Sequence, residues 1–419
     1  MSGRSEAGLG LVQKQIPRSE CLGWSVKRES VERGKCYDAF TLYAPTLHAP
    51  DARQRQFVRI TPKAPKLFLH GRLGRVPIWC KAVLLTLLVL APFCSSPAAS
   101  ETAAPRGLPE AVFTTSPLKP DAIEMIVPLG NLNPRGGHVF PTDHIHLDYG
   151  GKPGLEVFAP GDGTVFAIRA QLHGGDKIEV RVDKNLTYYL AHVHLERGIQ
   201  VGTRLKAGQT LGRVAPESRL DLGAGDERVE LSGLLDPARY PSSTLHAIAP
   251  LELFAEPLKS RLKAKVPREA PDKNGKCDFD QAGKLVGNWF HQSLPASESA
   301  LARPETWTRQ LAFAYDGRQP ESVRVSIGGT VAPPGLYAIQ ARGPDPATVS
   351  PGTGLVRYEL VAIGRRASTP SGTGPAPQAP SGVLCVQLLG EGMLKAQYFP
   401  GKSAKDVPGF TPLACLYMR

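Results

Sequence analysis

The stretch Val157-Phe-Ala-Pro-Gly-Asp-Gly-Thr-Val165 decides the fold of the central part of the chain. Pro and Gly in its middle predict a turn, and the apolar residues on either side predict the two strands that this turn joins. Outward from it, short strand patterns with Gly and Pro turns run from Ile126 to about Phe254, and the clearest are Thr164–Ile168, Lys177–Val182, Thr187–Ala191 and Thr210–Val214. Because short, evenly spaced strands are typical of sandwiches and barrels, we expect an all-β domain over residues 126–255.

A polar cluster, Thr142-Asp-His144-Ile-His146-Leu-Asp148-Tyr-Gly-Gly151, lies just upstream of this stretch. His144 and Asp148 are four residues apart, and in a strand-and-turn setting their side chains can share one face with His146. Zinc binds imidazole nitrogen and carboxylate oxygen at about 2.0–2.2 Å, so these side chains suit a zinc ion. The alternative for so short a cluster is a polar surface loop without a metal.

Four segments, taken in order, resemble the lysostaphin/LytM-type zinc endopeptidases. The cluster contains that family's H-x3-D motif, and Val157–Val165 follows it as the family's v-x-A-P-x-x-G-x-V segment does. Tyr189-Leu-Ala-His192 resembles the Y-x-H strand, and Val201–Val214 resembles the segment v-x-x-G-x-x-V-x-x-G-q-x-i-G-x-v. The resemblance implies a lysostaphin-like β-sandwich or barrel, zinc as cofactor with His144 and Asp148 among its ligands, and peptidoglycan as the partner.

The family's last motif, H-x-H, is degenerate in this chain. Its second His binds zinc and its first helps catalysis, whereas the matching region reads Ser218-Arg-Leu-Asp-Leu-Gly-Ala224. The resemblance places Arg219 at the catalytic position, where a guanidinium could bind substrate, and Asp221 at the zinc position. Asp221 either completes a metal site with His144 and Asp148, or caps a turn or pairs with Arg219, and the metal site is then lost.

Two further histidines are candidates for catalysis. His192 and His194 are two residues apart on a predicted strand, so both side chains are expected on the same side. An imidazole with a pKa near 6.5 can act as a general base or stabilise an oxyanion. The resemblance favours His192 as the residue in the cleft, and the alternative for His194 is a loop position without a role.

The segment before the β-domain has the pattern of a secretory signal. An apolar run of 12 residues, Ala82–Phe93, follows Lys81 and precedes Ala98-Ala-Ser100. It is too short to span a bilayer, which needs about 20 residues, and it has the layout of a cleavable signal peptide. We therefore expect a signal peptide over residues 76–100, a secreted or periplasmic protein, and no stable transmembrane span after cleavage.

The position of this signal, well inside the chain, predicts an unusual start. We expect translation to begin near Val76, so that residues 1–75 are not made. The alternative is a disordered cytoplasmic N-terminal tail followed by a membrane anchor. Residues 101–125 are expected to form a Pro-rich leader. Residues 1–75 also carry 14 Lys/Arg against 6 Asp/Glu, which is +8 of the net charge of +12. Because the rest has no basic cluster alternating with aromatic residues, we expect no nucleic-acid partner.

A second β-rich domain is predicted over residues 277–419, after a charged linker at 256–276. Its candidate strands are Leu285–Phe290, Leu311–Tyr315, Val323–Ile327, Leu355–Val361, Val383–Leu389 and Leu394–Phe399. Gly287-Asn-Trp289 on the first strand resembles lipocalin-type barrels, and a β-sandwich with a core Trp is the alternative. Ser368–Ser381 is rich in Pro, Gly and Ser and is predicted to be a surface loop. We expect an accessory binding or interaction domain.

Together these features predict an exported, cell-wall-associated protein whose metallopeptidase-like domain acts on or binds peptidoglycan peptides. The alternatives are a catalytically inactive pseudoenzyme that binds peptidoglycan or a peptide or protein ligand, and a structural envelope protein.

Overall fold

The computed structural model describes residues 111–171, 174–216, 219–296, 304–340, 343–364 and 380–419. The predictions for residues 1–100, which concern the start site and the signal peptide, lie outside these residues, as does nearly all of the loop predicted at Ser368–Ser381. The described chain consists mostly of strands with few helices, so the predicted all-β class is confirmed.

The first domain is an antiparallel sheet of ten strands. The strands are β1 (Met125–Val127), β2 (His144–Asp148), β3 (Glu156–Phe158), β4 (Gly163–Ala170), β5 (Asp176–Arg181), β6 (Leu186–Leu195), β7 (Arg204–Leu205), β8 (Thr210–Val214), β9 (Leu220–Asp226) and β10 (Ala247–Ile248). Seven of them lie side by side in the order β1-β2-β9-β6-β5-β4-β7. In addition, β3 pairs with β8, β8 pairs with β6, and β10 pairs with β9.

The core of this domain follows from alternation along the strands. On β6, Leu186, Tyr188 and Leu190 are buried while the residues between them are more exposed, as expected where one face of a strand lies on the core. At the base of the core, Phe113 packs edge-on against Tyr188 and Phe254, with ring centroids 5.3 and 5.1 Å apart. The leader and the chain after β10 are therefore joined to the sheet.

Three short α-helices occur in the described residues: α1 (Ser242–Leu245), α2 (Leu258–Lys263) and α3 (Pro304–Trp307). Helix α2 lies in the segment predicted as a linker, and Leu262 and Val266 of that segment pack into the core of the first domain. Within the described part of the chain, no helix is long and apolar enough to cross a membrane.

The second domain is a closed eight-stranded barrel in which each strand pairs with its neighbour in sequence and the last strand pairs with the first. Trp289 is fully buried in its core and donates its indole N–H to the Leu285 carbonyl at 2.8 Å. The strands are β11 (Gly287–His291), β12 (Gln310–Tyr315), β13 (Val323–Ile327), β14 (Gly335–Ile339), β15 (Val356–Ala362), β16 (Gly382–Gly390), β17 (Met393–Pro400) and β18 (Cys415–Met418). Of the two alternatives left open by the sequence, a barrel is therefore the one observed.

The two domains share an apolar contact. Tyr240 of the first domain and Phe290 of the barrel pack together with Leu234 and Leu294 in one buried cluster. Elsewhere, Arg135 donates from Nε to the Pro334 carbonyl at 3.2 Å. The barrel thus holds the loop between β1 and β2, on which part of the site described next depends.

Candidate functional site

The site lies where β2 and β9 run side by side. The antiparallel register sets His146 opposite Asp221 and His144 opposite Gly223. Because alternate residues of a strand face the same side, this register places His144, His146 and Asp221 on one face of the sheet. All three side chains are buried, and His144 and His146 are only 8% and 5% exposed.

Asp221 is the centre of this face. Its Oδ1 accepts a hydrogen bond from His146 Nδ1 at 2.6 Å, and its Oδ2 lies 3.3 Å from His192 Nε2 and 3.5 Å from His144 Nε2. Burial opposes ionisation of this carboxyl, but His146 and His144 outweigh it and hold its pKa well below the usual range. Asp221 is therefore a carboxylate bordered by three imidazoles.

A second carboxylate orients His144. The Nδ1 of His144 donates to Asp143 Oδ1 at 2.8 Å, and Asp143 also accepts from Tyr189 Oη at 3.0 Å and from Thr244 Oγ1 at 2.5 Å. The other ring nitrogen, His144 Nε2, is buried and has no hydrogen-bond partner. Burial lowers the pKa of His144, but Asp221 and Asp143 outweigh it and the net shift is upward.

His138 joins these residues from the loop that precedes β2, and the sequence analysis did not predict it. One ring nitrogen each of His138, His144 and His146 lies within 4.8 Å of the others. Burial, followed by the charges of His144 and His146, lowers the pKa of His138 to about 3, so its ring is neutral at pH 7. Five residues separate it from His144 in the sequence. The only sequence signal that the chain folds back here is the Gly136-Gly137 turn just before His138.

Asp148 and Arg219 pair with each other at the end of the same two strands. Arg219 Nε donates to Asp148 Oδ2 at 3.0 Å. Among the described residues, His138, His144 and His146 are the candidate metal ligands that lie close together, and Asp148 is not one of this group. The pKa of Arg318, on the turn between β12 and β13, is lowered by burial and also by Arg219. A barrel residue therefore lies close to this ion pair.

His192 and His194, both on β6, have different surroundings. His192 has a φ of 68°, a left-handed conformation uncommon outside glycine, and this interrupts the alternation of the strand. Its Nδ1 donates to the Gly174 carbonyl at 3.2 Å, which leaves Nε2 facing Asp221. His194 is exposed, and its backbone pairs with Arg213 of β8. Of the two predicted catalytic histidines, His192 is the one next to Asp221, and a role for His194 stays a prediction.

Comparison with known families agrees with this geometry. A sequence profile described as peptidase family M23 matches residues 142–224, which include β2, β6 and most of β9. Residues 142–224 thus resemble the M23 peptidase family, and by this resemblance the first domain is called the M23 domain below. No curated protein matches the chain.

Several solved structures resemble parts of the chain. Csd3 of Helicobacter pylori has 20% identity over 35% of this chain and 34% of its own, with a TM-score of 0.25. A zinc-containing peptidase of Vibrio cholerae has 19% identity over 28% of this chain and 38% of its own, with a TM-score of 0.24. The chain thus spans about a third of the length of the Csd3 chain.

Of the ligand set that the family resemblance implies for zinc, His144 and Asp221 lie side by side, whereas Asp148 is paired with Arg219. Asp148 is neutralised by Arg219, which stands where the resemblance places a catalytic histidine. A guanidinium is always charged and cannot accept a proton as a general base. The site nevertheless has the donor atoms of a metal centre, because three imidazoles converge on one point. The match of residues 142–224 to the M23 family model supports a peptidase-like or peptidoglycan-related function.

Proposed function

We propose that the protein is exported and associates with the cell wall, and that its M23 domain binds peptidoglycan peptides without cleaving them by the family's reaction. Domains of this family act on peptidoglycan, which makes the wall peptide the natural ligand for this site. The observation that carries the proposal is the ion pair between Arg219 and Asp148.

The ion pair disfavours catalysis in two ways. It occupies a carboxylate that would otherwise face the metal, and it places a fixed cation where the reaction needs a group that exchanges a proton. His192 remains beside Asp221, but its Nε2 faces that carboxylate at 3.3 Å. We therefore expect no endopeptidase activity of the kind implied by the family resemblance.

The same ion pair favours binding. The Arg219 side chain is 37% exposed, and only its Nε is used in the bond to Asp148, so its terminal N–H groups can donate to a ligand. A guanidinium presents paired donors that match the two oxygens of a carboxylate. Peptides with a free carboxyl terminus are therefore the expected ligands of Arg219.

The test measures binding and cleavage side by side. The purified protein is mixed with insoluble peptidoglycan, and both co-sedimentation and loss of turbidity are followed. We expect co-sedimentation at constant turbidity, and we expect Arg219→Met to weaken binding about tenfold, as the loss of roughly 1.4 kcal/mol from one charge-assisted contact would do.

Arg197→Met is the matched control, because Arg197 is an exposed residue of the same domain and its replacement removes the same charge. Equal loss of binding in both variants would show that only net charge matters. Clearing of peptidoglycan by the natural protein would establish a peptidase and refute the proposal. Absence of co-sedimentation would favour a structural envelope protein.

A further inference from the structure

Two strand histidines of the M23 domain are each oriented by a carboxylate. His144 Nδ1 donates to Asp143 at 2.8 Å, and His146 Nδ1 donates to Asp221 at 2.6 Å. In each ring the proton on Nδ1 leaves the lone pair on Nε2. Metal-binding histidines typically donate their second ring nitrogen to a carboxylate in this way, which sets the tautomer and makes the ligand more basic. Both rings are thus prepared to bind a metal through Nε2.

A third imidazole completes the group. The candidate donor atoms of His138, His144 and His146 lie within 4.8 Å of one another. Nitrogen ligands at 2.0–2.1 Å around a tetrahedral ion are about 3.4 Å apart, so the rings need to close by little more than an ångström. The ring centroids, which are 4.8 to 5.7 Å apart, are likewise close enough for a shared ion.

His144 Nε2 supplies an independent indication of a missing partner. This atom is buried and makes no hydrogen bond, although Asp221 Oδ2 lies 3.5 Å away. Leaving a buried polar atom unpaired costs about 1–3 kcal/mol, so such atoms usually face a ligand, a water or an ion. The corresponding atom of His146 accepts only a 3.2 Å contact from the Asn131 amide, which an ion could displace.

The loop that carries His138 is built to hold it in place. The backbones of Asn133 and His138 exchange two hydrogen bonds, at 2.8 and 3.0 Å, and close a tight turn around Pro134–Gly136. Gly137 has a φ of 90°, and a Cβ there would lie 2.4 Å from the ring of Trp307, so only glycine lets this barrel residue pack on the turn. The position of His138 is therefore determined by both domains.

We propose that His138, His144 and His146 bind a divalent transition metal, in place of the His144, Asp148 and Asp221 set that the family resemblance implies. Three imidazoles suit zinc, copper, nickel and cobalt ions, and zinc is the probe of choice. The ion ties the His138 turn, and with it the contact to Trp307, to strand β2. This inference does not rest on peptidoglycan binding, because the cluster can be loaded in either case.

The test distinguishes the two ligand sets by zinc titration of the full chain after removal of metal, with a chromophoric chelator as competitor. We expect one zinc per chain. His138→Gln and His146→Gln should each weaken zinc binding more than about tenfold, since the loss of even a supporting residue costs 10–100-fold. Asp148→Asn should change zinc affinity less than about twofold, because Asp148 is not a ligand in the proposed set and distant substitutions usually act independently within this margin.

Two controls protect the result. His194→Gln is the matched histidine replacement, because His194 is exposed on the same domain, and it should keep full affinity. Thermal unfolding of each metal-free variant separates loss of a ligand from loss of the fold, and cobalt(II) absorption reports the coordination independently of any activity. Loss of zinc binding in Asp148→Asn with retention in His138→Gln would establish the family's set and overturn the proposal, as would a natural chain that binds no zinc.

Discussion

Gly223 is the position at which a single methyl group should disturb the site most. It lies on β9 directly opposite Tyr189 of β6, and the tyrosine ring covers it. A Cβ at this position would lie 2.2 Å from Tyr189 Cε1 and 2.7 Å from Tyr189 Oη. Because real Cβ atoms do not approach so closely, Gly223→Ala must displace the ring. A glycine covered by a cross-strand aromatic ring is a known way to stabilise such a strand.

The size of the effect follows from what the displaced ring loses. Tyr189 Oη donates to Asp143 at 3.0 Å, and a hydrogen bond to a charged group contributes about 1.5–3 kcal/mol. Replacing glycine by alanine regains about 0.4–1 kcal/mol through the unfolded chain. We therefore expect Gly223→Ala to lower the free energy of unfolding by about 1–2 kcal/mol. The same displacement should loosen the orientation of His144, which depends on Asp143.

Gly225→Ala is the matched control, because this glycine lies two residues further along the same strand. A Cβ there would meet its nearest atoms, the His246 carbonyl oxygen and Thr187 Oγ1, at 3.4 and 3.5 Å, which is nearly ordinary contact. This variant should be neutral or stabilised by up to about 1 kcal/mol. Thermal unfolding followed by circular dichroism, with a chelator present, should separate the two midpoints by roughly 4–8 °C. Equal midpoints would refute the packing argument.

Two further outcomes are expected. Trp289→Ala should destabilise the barrel by about 3–5 kcal/mol, because the ring is fully buried and the Arg419 guanidinium stacks on it, 3.9 Å from the ring centroid. Denaturant unfolding measures this loss of stability. Leu413→Ala, at a residue that is 82% exposed, is the control and should change stability by less than about 0.5 kcal/mol. If the three-histidine site binds zinc, Asp143→Asn should weaken zinc binding about 10–100-fold, since His144 loses the carboxylate that orients it. The zinc titration with a competing chelator measures this. An unchanged affinity would show that the Asp143 carboxylate does not support a ligand.

Much of the fold could be predicted from the sequence because it depends on local patterns. Val323–Ile327 and Thr210–Val214 were predicted as strands with the boundaries that the structure has. Their apolar residues and flanking turns are local signals within a few residues, and so is the Ala-Pro-Gly turn of the segment that resembles the M23 family. The short strands β14 and β18 were not predicted, because Gly335-Leu-Tyr-Ala-Ile339 and Cys415-Leu-Tyr-Met418 lack the apolar-polar alternation of Val323–Ile327.

The shape of the second domain depended on long-range pairing. A buried Trp289 suits a sandwich as well as a barrel, and the sequence alone left both open. The pairing of Phe290 with Met418, at opposite ends of the domain, is what closes the barrel. The pairing of the first and last strands depends on the packing of the whole sheet, because the residues of either strand alone do not specify their partner.

The candidate site, like the fold, was determined partly by the sequence and partly by long-range contacts. The sequence by itself determined that His144, His146 and Asp148 belong to one motif, and its resemblance to a known family placed Asp221 in the degenerate H-x-H motif. Only the tertiary structure decided what these residues contact. Asp148 meets Arg219 across 71 residues of chain, which neutralises the carboxylate before any metal can use it. His138 reaches the cluster because a closed turn and a tryptophan of the other domain hold it there, and loop positions of this kind have no periodicity from which they could be inferred.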